Sequence, residues 1–257
     1  MKMTFLFRLE AWQLVLVLFA IMILSSLAGR YIGQKYLAGR EKDGTMLGSL
    51  FAILGLMLAF TFSMTLTRYE KRIETVIQES NDIGTAILRA DLYPEEHRQL
   101  LRADFKQYVE SRIAFFEARK DIVKVFAAQR QSEAIGQQIW NRAAKLSFDP
   151  AITVPATMQM IPALNAMLDI NNARMRISLN KVPESVLYLL FALIFICSFQ
   201  LGYTFSEKKK MDWLGTIGVT LLICSVIYLI IDMDRPNRGT MTLEQTNQSI
   251  VDLRKMF

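Results

Sequence analysis

Side chains able to perform acid–base, metal or nucleophilic chemistry are few in this sequence of 257 residues. The one histidine, His97, falls in the acidic first turn of a predicted helix, where a solvated surface residue is the ordinary interpretation. The two cysteines, Cys197 and Cys224, fall within long apolar runs that are typical of buried thiols. A zinc site needs several Cys or His ligands together, and no phosphate-binding loop or nucleophile elbow occurs either. We therefore predict neither an enzyme, nor a metal site, nor a cofactor.

Polar residues inside the long apolar runs are the next place to look, because they are costly in lipid and often functional. Thr61, Ser63 and Thr65 lie between residues 46 and 66, and Gln200 lies in a later run. Hydroxyl side chains can bond to their own helix backbone, so they are weak evidence of a site. No ionisable residue lies near the middle of a run. That absence argues against a proton-coupled transporter.

The run over residues 46–66 carries two neighbouring stripes. Small residues recur every three or four positions and so share one helix face; they are Gly48, Ala52, Gly55, Ala59 and Ser63. The larger Leu56 and Phe60 lie beside them. Small residues allow close packing of helices in a membrane, whereas apolar rings in a pore can gate it by dewetting. The two interpretations are compatible, because in a ring of subunits one face can pack while its neighbour lines the axis.

Four apolar runs are long enough to cross a bilayer as helices, at about residues 11–29, 46–66, 185–205 and 213–233. The first run is longer than the apolar core of a signal peptide, which favours a retained helix. The hydrophobic content of 52% and the mean hydropathy of +0.24 agree with an integral membrane protein. The predicted fold class is all-α, with four transmembrane helices and a long helical extramembrane domain between the second and third.

The domain organisation follows from these runs. We predict an N-terminal transmembrane hairpin over residues 1–66, a helical extramembrane domain over 67–182, a C-terminal transmembrane hairpin over 183–234 and a polar tail over 235–257. No proline occurs between residue 46 and Pro94, so one helix of about 70 Å could continue from the membrane into the domain. Pro155 and Pro162 predict an irregular or kinked stretch before a helix over about 162–180.

The charge pattern leaves the orientation open. The net charge of +6 fits loops beside anionic lipid better than nucleic-acid binding, for which there is no basic–aromatic array. The two short loops carry four and three Lys or Arg residues, which favours cytoplasmic loops and an external domain. The flanks of the domain and the two tails are also basic, which favours the opposite orientation.

The chain resembles two related families, one over a single segment and the other over nearly its whole length. Residues Leu58–Tyr69 resemble the second transmembrane helix of the bestrophins, which has a Leu-small-Phe group followed by Thr-Arg-aromatic; the matching residues are Leu58, Ala59, Phe60, Thr67, Arg68 and Tyr69. Over nearly its whole length the chain resembles the uncharacterised bestrophin-like family of bacteria and plants. The motifs that carry this resemblance are Ala59–Phe62, Asn81–Leu92 and Asp232–Gly239.

The resemblance implies a pentameric anion channel whose second helix lines the pore. It places the narrow neck at Ala52, Leu56 and Phe60, and the small Ala52 implies a neck that is either wider than is usual or formed at a different position. The resemblance extends the pore lining to Ser63 and Thr67, and it implies a vestibule whose basic residues, Arg68, Lys71 and Arg72, raise the local anion concentration. The acidic calcium-binding run of animal bestrophins is missing after the fourth span, so calcium gating is not expected.

The same resemblance implies partners and a location. The partners are the lipid bilayer, small inorganic ions with anions favoured, and further copies of the chain in a homo-oligomer; nucleic acid is not expected. The large domain and both termini are then cytoplasmic, in the inner membrane of a bacterium. The alternative from the residues alone is a non-conducting, membrane-anchored helical scaffold or sensor, although the sequence offers no output domain for signalling.

Overall fold

The computed structural model describes residues 10–36, 44–118, 121–208, 210–235 and 241–257. All regular structure within these ranges is helical, which confirms the predicted fold class. The α-helices are α1 (Ala11–Lys35), α2 (Gly44–Arg89), α3 (Glu95–Glu117), α4 (Ile122–Leu146), α5 (Val154–Leu179), α6 (Glu184–Thr204), α7 (Trp213–Met233) and α8 (Glu244–Asp252). Two 3₁₀ turns, Ala90–Leu92 and Leu253–Met256, follow α2 and α8.

Four helical stretches are long and apolar enough to cross a membrane: Ala11–Lys35, Gly44–Leu92, Val154–Thr204 and Trp213–Met233. The predicted runs coincide with the apolar parts of α1, α2, α6 and α7, so the chain is a multi-pass membrane protein. Helix α2 has 46 residues and a length of about 70 Å, more than twice the thickness of a bilayer's hydrocarbon core. Only its apolar part, residues 46–66, is needed to span the membrane.

The described residues divide into two compact units. The first comprises the described parts of Met1–Tyr69 and Lys181–Arg235, with Met241. The second comprises the described parts of Glu70–Asn180, with Thr242–Phe257. The predicted long helix therefore exists as one uninterrupted element, with its residues up to Tyr69 in the first unit and those from Glu70 onward in the second.

The core of the first unit is a cluster of apolar side chains from α1, α6 and α7 and from one side of α2; among its members are Leu18, Met22, Leu54, Leu190, Ile194 and Ile227. Helices α1 and α6 approach each other at glycines. A Cβ atom added at Gly202 would overlap the carbonyl oxygen of Ser26, and one added at Gly29 would overlap that of Phe199. Any larger residue at these two positions would separate the helix backbones.

The second unit is a bundle of helices around fully buried side chains, which include Leu101, Phe105, Tyr108, Ile139, Met160 and Leu164. Helix α3 begins after Pro94, with Glu95 and Glu96 in its first turn as predicted. The side chain of Asp121 caps α4 by accepting hydrogen bonds from the backbone N–H groups of Val123 and Lys124, at 3.0 and 3.2 Å.

Helix α5 corrects one expectation. The stretch before residue 162 was expected to be irregular or kinked, but α5 already begins at Val154 and contains Pro162 within it. Pro155 lies in the first turn, where a helix needs no backbone N–H donor and where the fixed φ of proline fits. The proline thus starts the helix instead of delaying it.

Candidate functional site

The five residues expected to line a pore lie on one exposed face of α2. Leu56 and Phe60 are 57% and 63% exposed, as are other large apolar side chains on the membrane helices, such as Leu24 at 65%. Ala52, Ser63 and Thr67 are exposed as well. Their spacing of three or four places all five along one helix face. The structure therefore brings together every residue of the expected pore lining, and leaves that face available to a lumen, to lipid or to another copy of the chain.

The opposite side of α2 faces the core of the first unit. Leu54, Thr61 and Thr65 are buried there. The Thr61 hydroxyl donates a hydrogen bond to the Met57 carbonyl at 2.7 Å, and the Thr65 hydroxyl donates one to the Thr61 carbonyl at 2.8 Å. Both hydroxyls are satisfied by their own helix, so they are structural.

The stripe of small residues on α2 has open space around it, unlike the glycines between α1 and α6. A Cβ atom added at Gly48 or Gly55 would meet no other described residue within 4 Å. Ala52, Ala59 and Ser63, on the same stripe, are exposed. Close packing against another helix of the same subunit is therefore not the role of this stripe in the described chain. Its small side chains are available for close approach by a second copy.

The three basic residues expected in a vestibule have different environments. Lys71 is exposed, and its ammonium group lies 2.7 Å from a carboxylate oxygen of Glu74. Arg68 is half-buried, with its guanidinium 4.0 Å from the sulfur of Met64. Arg72 is only 3% exposed, and donates a hydrogen bond to the Asn180 carbonyl at 2.8 Å. Of the three, Lys71 is the residue best placed to act on ions in solvent.

A buried cluster of charges in the second unit was missed by the sequence reasoning. The Glu79 carboxylate accepts one hydrogen bond from Arg112, at 2.5 Å from its Nε, and another from Arg174. Arg112 also donates to Gln129 at 3.1 Å, and Arg174 donates to the Asn247 side chain. Glu79 and Arg112 are fully buried, and Arg174 is 7% exposed. Five helices, α2, α3, α4, α5 and α8, are thereby joined by side-chain hydrogen bonds.

The electrostatics of this cluster keep Glu79 ionised. Burial alone would raise the pKa of Glu79, because a carboxylate is poorly solvated in the protein interior. The positive charges of Arg112 and Arg174 outweigh this effect, and the pKa lies below its ordinary value. A sequence signal did exist: Glu79 lies three residues after Val76 and four before Ile83, on the apolar side of α2, where a solvated carboxylate would be out of place.

The described residues hold no cluster of three or more His, Cys, Asp or Glu side chains that could bind a metal ion. The five expected pore residues on the exposed face of α2 are apolar or carry a hydroxyl group. In a water-filled channel such a face lets ions pass only where the lumen is wide enough to stay wet, and a ring of large apolar side chains would form its barrier. An arrangement of this kind is suited to ion permeation.

Comparison with known proteins gives a family and a fold. The family described as "Bestrophin-like domain" matches residues 14–248. The crystal structure of a bacterial bestrophin homologue from Klebsiella pneumoniae superposes with a TM-score of 0.75 at 14% sequence identity, covering 94% of this chain and 98% of that one.

Two single-substitution variants of the Klebsiella homologue each give a TM-score of 0.74 at 13% identity; they cover 94% and 96% of this chain and 98% and 96% of their own. No curated protein sequence matches the chain. At these identities the structural likeness establishes the fold alone.

Proposed function

The chain belongs to the Bestrophin-like family, and from this premise we propose that it is an ion channel assembled from several copies of itself, with α2 lining the pore. The observation that carries the proposal is the exposed face of α2. Leu56 and Phe60 are more than half exposed, in a helix whose other side is packed in the core. This face of α2 is not covered by its own subunit, and it carries small as well as large side chains. Such a face can line a central axis that several subunits share.

The pore lining would consist of Ala52, Leu56 and Phe60 as a neck, followed by Ser63 and Thr67. The apolar neck would be the barrier, since ions lose hydration there without gaining a polar partner. The hydroxyls of Ser63 and Thr67 would provide a wetter stretch. In the described structure the Thr67 hydroxyl donates to the Ser63 carbonyl at 3.0 Å, so its oxygen lone pairs are available to water.

Anions are the favoured ions in this proposal. The chain carries a net charge of +6, and Lys71 presents an exposed ammonium group one turn beyond Thr67. A fixed positive charge beside a pore raises the local concentration of anions and lowers that of cations. The pairing of Lys71 with Glu74 weakens this effect, so selectivity is expected to be modest. Oligomerisation as a pentamer and a cytoplasmic location of the helical domain, in a bacterial inner membrane, are parts of the same proposal.

The experiment is ion flux from liposomes that contain the purified full-length protein, with chloride and potassium gradients applied separately. Flux carried by chloride, and altered by Phe60→Ala while the oligomer stays intact, supports a pore lined by α2. Phe195→Ala is the matched control, because Phe195 is also an exposed phenylalanine of a membrane helix, 51% exposed on α6.

Two results would contradict the proposal. If Phe60→Ala and Phe195→Ala change the ion flux equally, Phe60 does not line the pore. If the folded, oligomeric protein conducts neither chloride nor potassium, the non-conducting scaffold or sensor is favoured. The chain would then share the fold of its family and not a channel function.

A further inference from the structure

A cavity of about 50 Å³ lies inside the second unit, bounded by helices α2, α3, α4, α5 and α8. Its polar lining comes from two arginines, Arg72 and Arg174, together with Asn247, Thr75 and Ser178. A water molecule needs roughly 10–15 Å³ of such space, so a ligand of several heavy atoms can be accommodated. The exposed face of α2 takes no part in this cavity.

In the buried cluster of Glu79, Arg112 and Arg174, positive charges outnumber negative ones. Two guanidinium groups, on Arg112 and Arg174, share the one carboxylate of Glu79, which leaves one positive charge in excess. The Nη2 atom of Arg112 is buried, and no described residue accepts a hydrogen bond from it. An uncompensated charge in a protein interior is costly, and a bound anion would offset that cost.

One of these two guanidiniums, that of Arg174, lies at the wall of the cavity. Phe115 lines the cavity, and its ring contacts both guanidiniums, with the Cζ atom of Arg112 at 4.5 Å and that of Arg174 at 5.4 Å from the ring centre. Arg174 itself lines the cavity and is less than one tenth exposed. Planar guanidinium groups are well suited to carboxylates, which they hold through parallel hydrogen bonds.

The remaining walls are apolar and come from side chains that include Phe115, Val125 and Ile177. An inorganic oxyanion needs polar partners on every side, whereas this cavity offers them mainly from the arginines and the Asn247 amide. We propose that the cavity binds a short-chain organic carboxylate, with its head at Arg174 and Arg72 and its aliphatic part against Phe115 and Val125. This inference does not depend on ion conduction.

The experiment uses the full-length protein in detergent and follows its thermal midpoint and binding heat during titration with sodium propionate. Sodium phosphate and sodium chloride at equal ionic strength are titrated in parallel. Propionate is expected to raise the midpoint saturably, and the two inorganic salts are not. A saturable rise with phosphate or chloride, and none with propionate, would overturn the assignment of the ligand class.

The variant Ile177→Trp fills the cavity and keeps every charged group. It is expected to weaken propionate binding about tenfold or more, because the indole would occupy the space of the ligand; a tenfold loss corresponds to about 1.4 kcal/mol. Ile170→Trp is the matched control, since Ile170 is also a half-buried isoleucine of α5 but does not line the cavity. Propionate affinity that is the same in the wild type and in Ile177→Trp would overturn the proposal.

Arg72→Gln is the second variant and removes a guanidinium from the lining without adding volume. It too is expected to weaken propionate binding, while the binding heat of phosphate and chloride stays at the level of dilution. Unchanged propionate affinity in this variant would overturn the assigned head-group position. Because binding is measured without any flux, failure here and failure of the proposed channel function are separate results.

Discussion

Glu79 and Arg112 form a fully buried ion pair, with 2.5 Å between the carboxylate Oε1 and the guanidinium Nε, across 33 positions of sequence. The second carboxylate oxygen accepts a hydrogen bond from Arg174. Removing the carboxylate would leave two guanidiniums buried side by side. We expect Glu79→Gln to lower the free energy of unfolding by about 3–5 kcal/mol, as for other broken buried pairs. Chemical denaturation of the purified protein measures this.

Glu74→Gln is the control for that change. Glu74 is 69% exposed and pairs with Lys71 across one turn of α2, so its loss should alter stability by less than about 1 kcal/mol. Equal stabilities of the Glu79→Gln and Glu74→Gln proteins would mean that the buried cluster contributes nothing net.

The pH dependence of stability follows from the lowered pKa of Glu79. The unfolded chain binds the proton more readily than the folded chain, so the contribution of Glu79 is fully present above the ordinary glutamate pKa of 4.5. It is lost as the pH falls through the lower pKa of the folded state. Below pH 4.5 the wild type should therefore lose stability more steeply than Glu79→Gln. Parallel slopes in denaturant titrations from pH 6 to pH 3 would argue against an ionised Glu79.

Gly202 makes the contact between α1 and α6 possible, because a Cβ atom there would overlap the Ser26 carbonyl. Gly202→Ala should lower stability by about 1–3 kcal/mol through separation of the two helices. The matched control is Gly218→Ala on α7, where an added Cβ meets nothing within 4 Å. The thermal midpoints of the two variants in the same detergent provide the comparison, and a lower midpoint for Gly218→Ala would reverse our interpretation.

Gly55 has open space around it in the subunit, so Gly55→Leu should leave the fold of one chain intact. If the stripe of small residues meets a second copy of the chain, the larger side chain should shift the protein toward smaller assemblies. Light scattering after size-exclusion chromatography measures the assembly, with Gly218→Leu as control. An oligomer of unchanged size and stability would place the stripe against lipid or lumen.

The proposed orientation can be tested through Gln131, an exposed residue of α4. The native thiols Cys197 and Cys224 are both buried, so a cysteine introduced at Gln131 should be the residue that reacts. A membrane-impermeant maleimide should label Gln131→Cys only after the cells are broken. Labelling of intact spheroplasts would place the helical domain outside and would contradict the cytoplasmic assignment.

Much of the architecture could be predicted because it depends on local patterns. The four apolar runs predicted the positions of the membrane helices, and the absence of proline before Pro94 predicted the long α2. The start of α5 was placed too late, because Pro155 was interpreted as a breaker although it occupies the first turn. The position of a proline relative to the helix start decides its effect, and that position is hard to fix from sequence.

The buried charges show where sequence patterns are insufficient. Glu79 meets Arg112 and Arg174 over separations of 33 and 95 residues, which only the packed helices establish. Arg68 and Arg72 look alike in the sequence, yet Arg68 is half-buried and Arg72 is almost fully buried. The two share one face of α2, so their difference depends on which stretch along the helix the other helices cover. The Val76–Glu79–Ile83 spacing was a local clue, because it placed a carboxylate on an apolar face.

The cluster of Glu79, Arg112 and Arg174 also constrains how this sequence can change over generations. Loss of Glu79 leaves the guanidiniums of Arg112 and Arg174 buried without their carboxylate, so that single step away from the present combination is strongly unfavourable. Replacement of all three by apolar residues of similar volume would be tolerated, since buried ion pairs are often no more stabilising than apolar contacts. In related chains these three positions are therefore expected to change as a set, and Asn247, which accepts from Arg174, is expected to change with them.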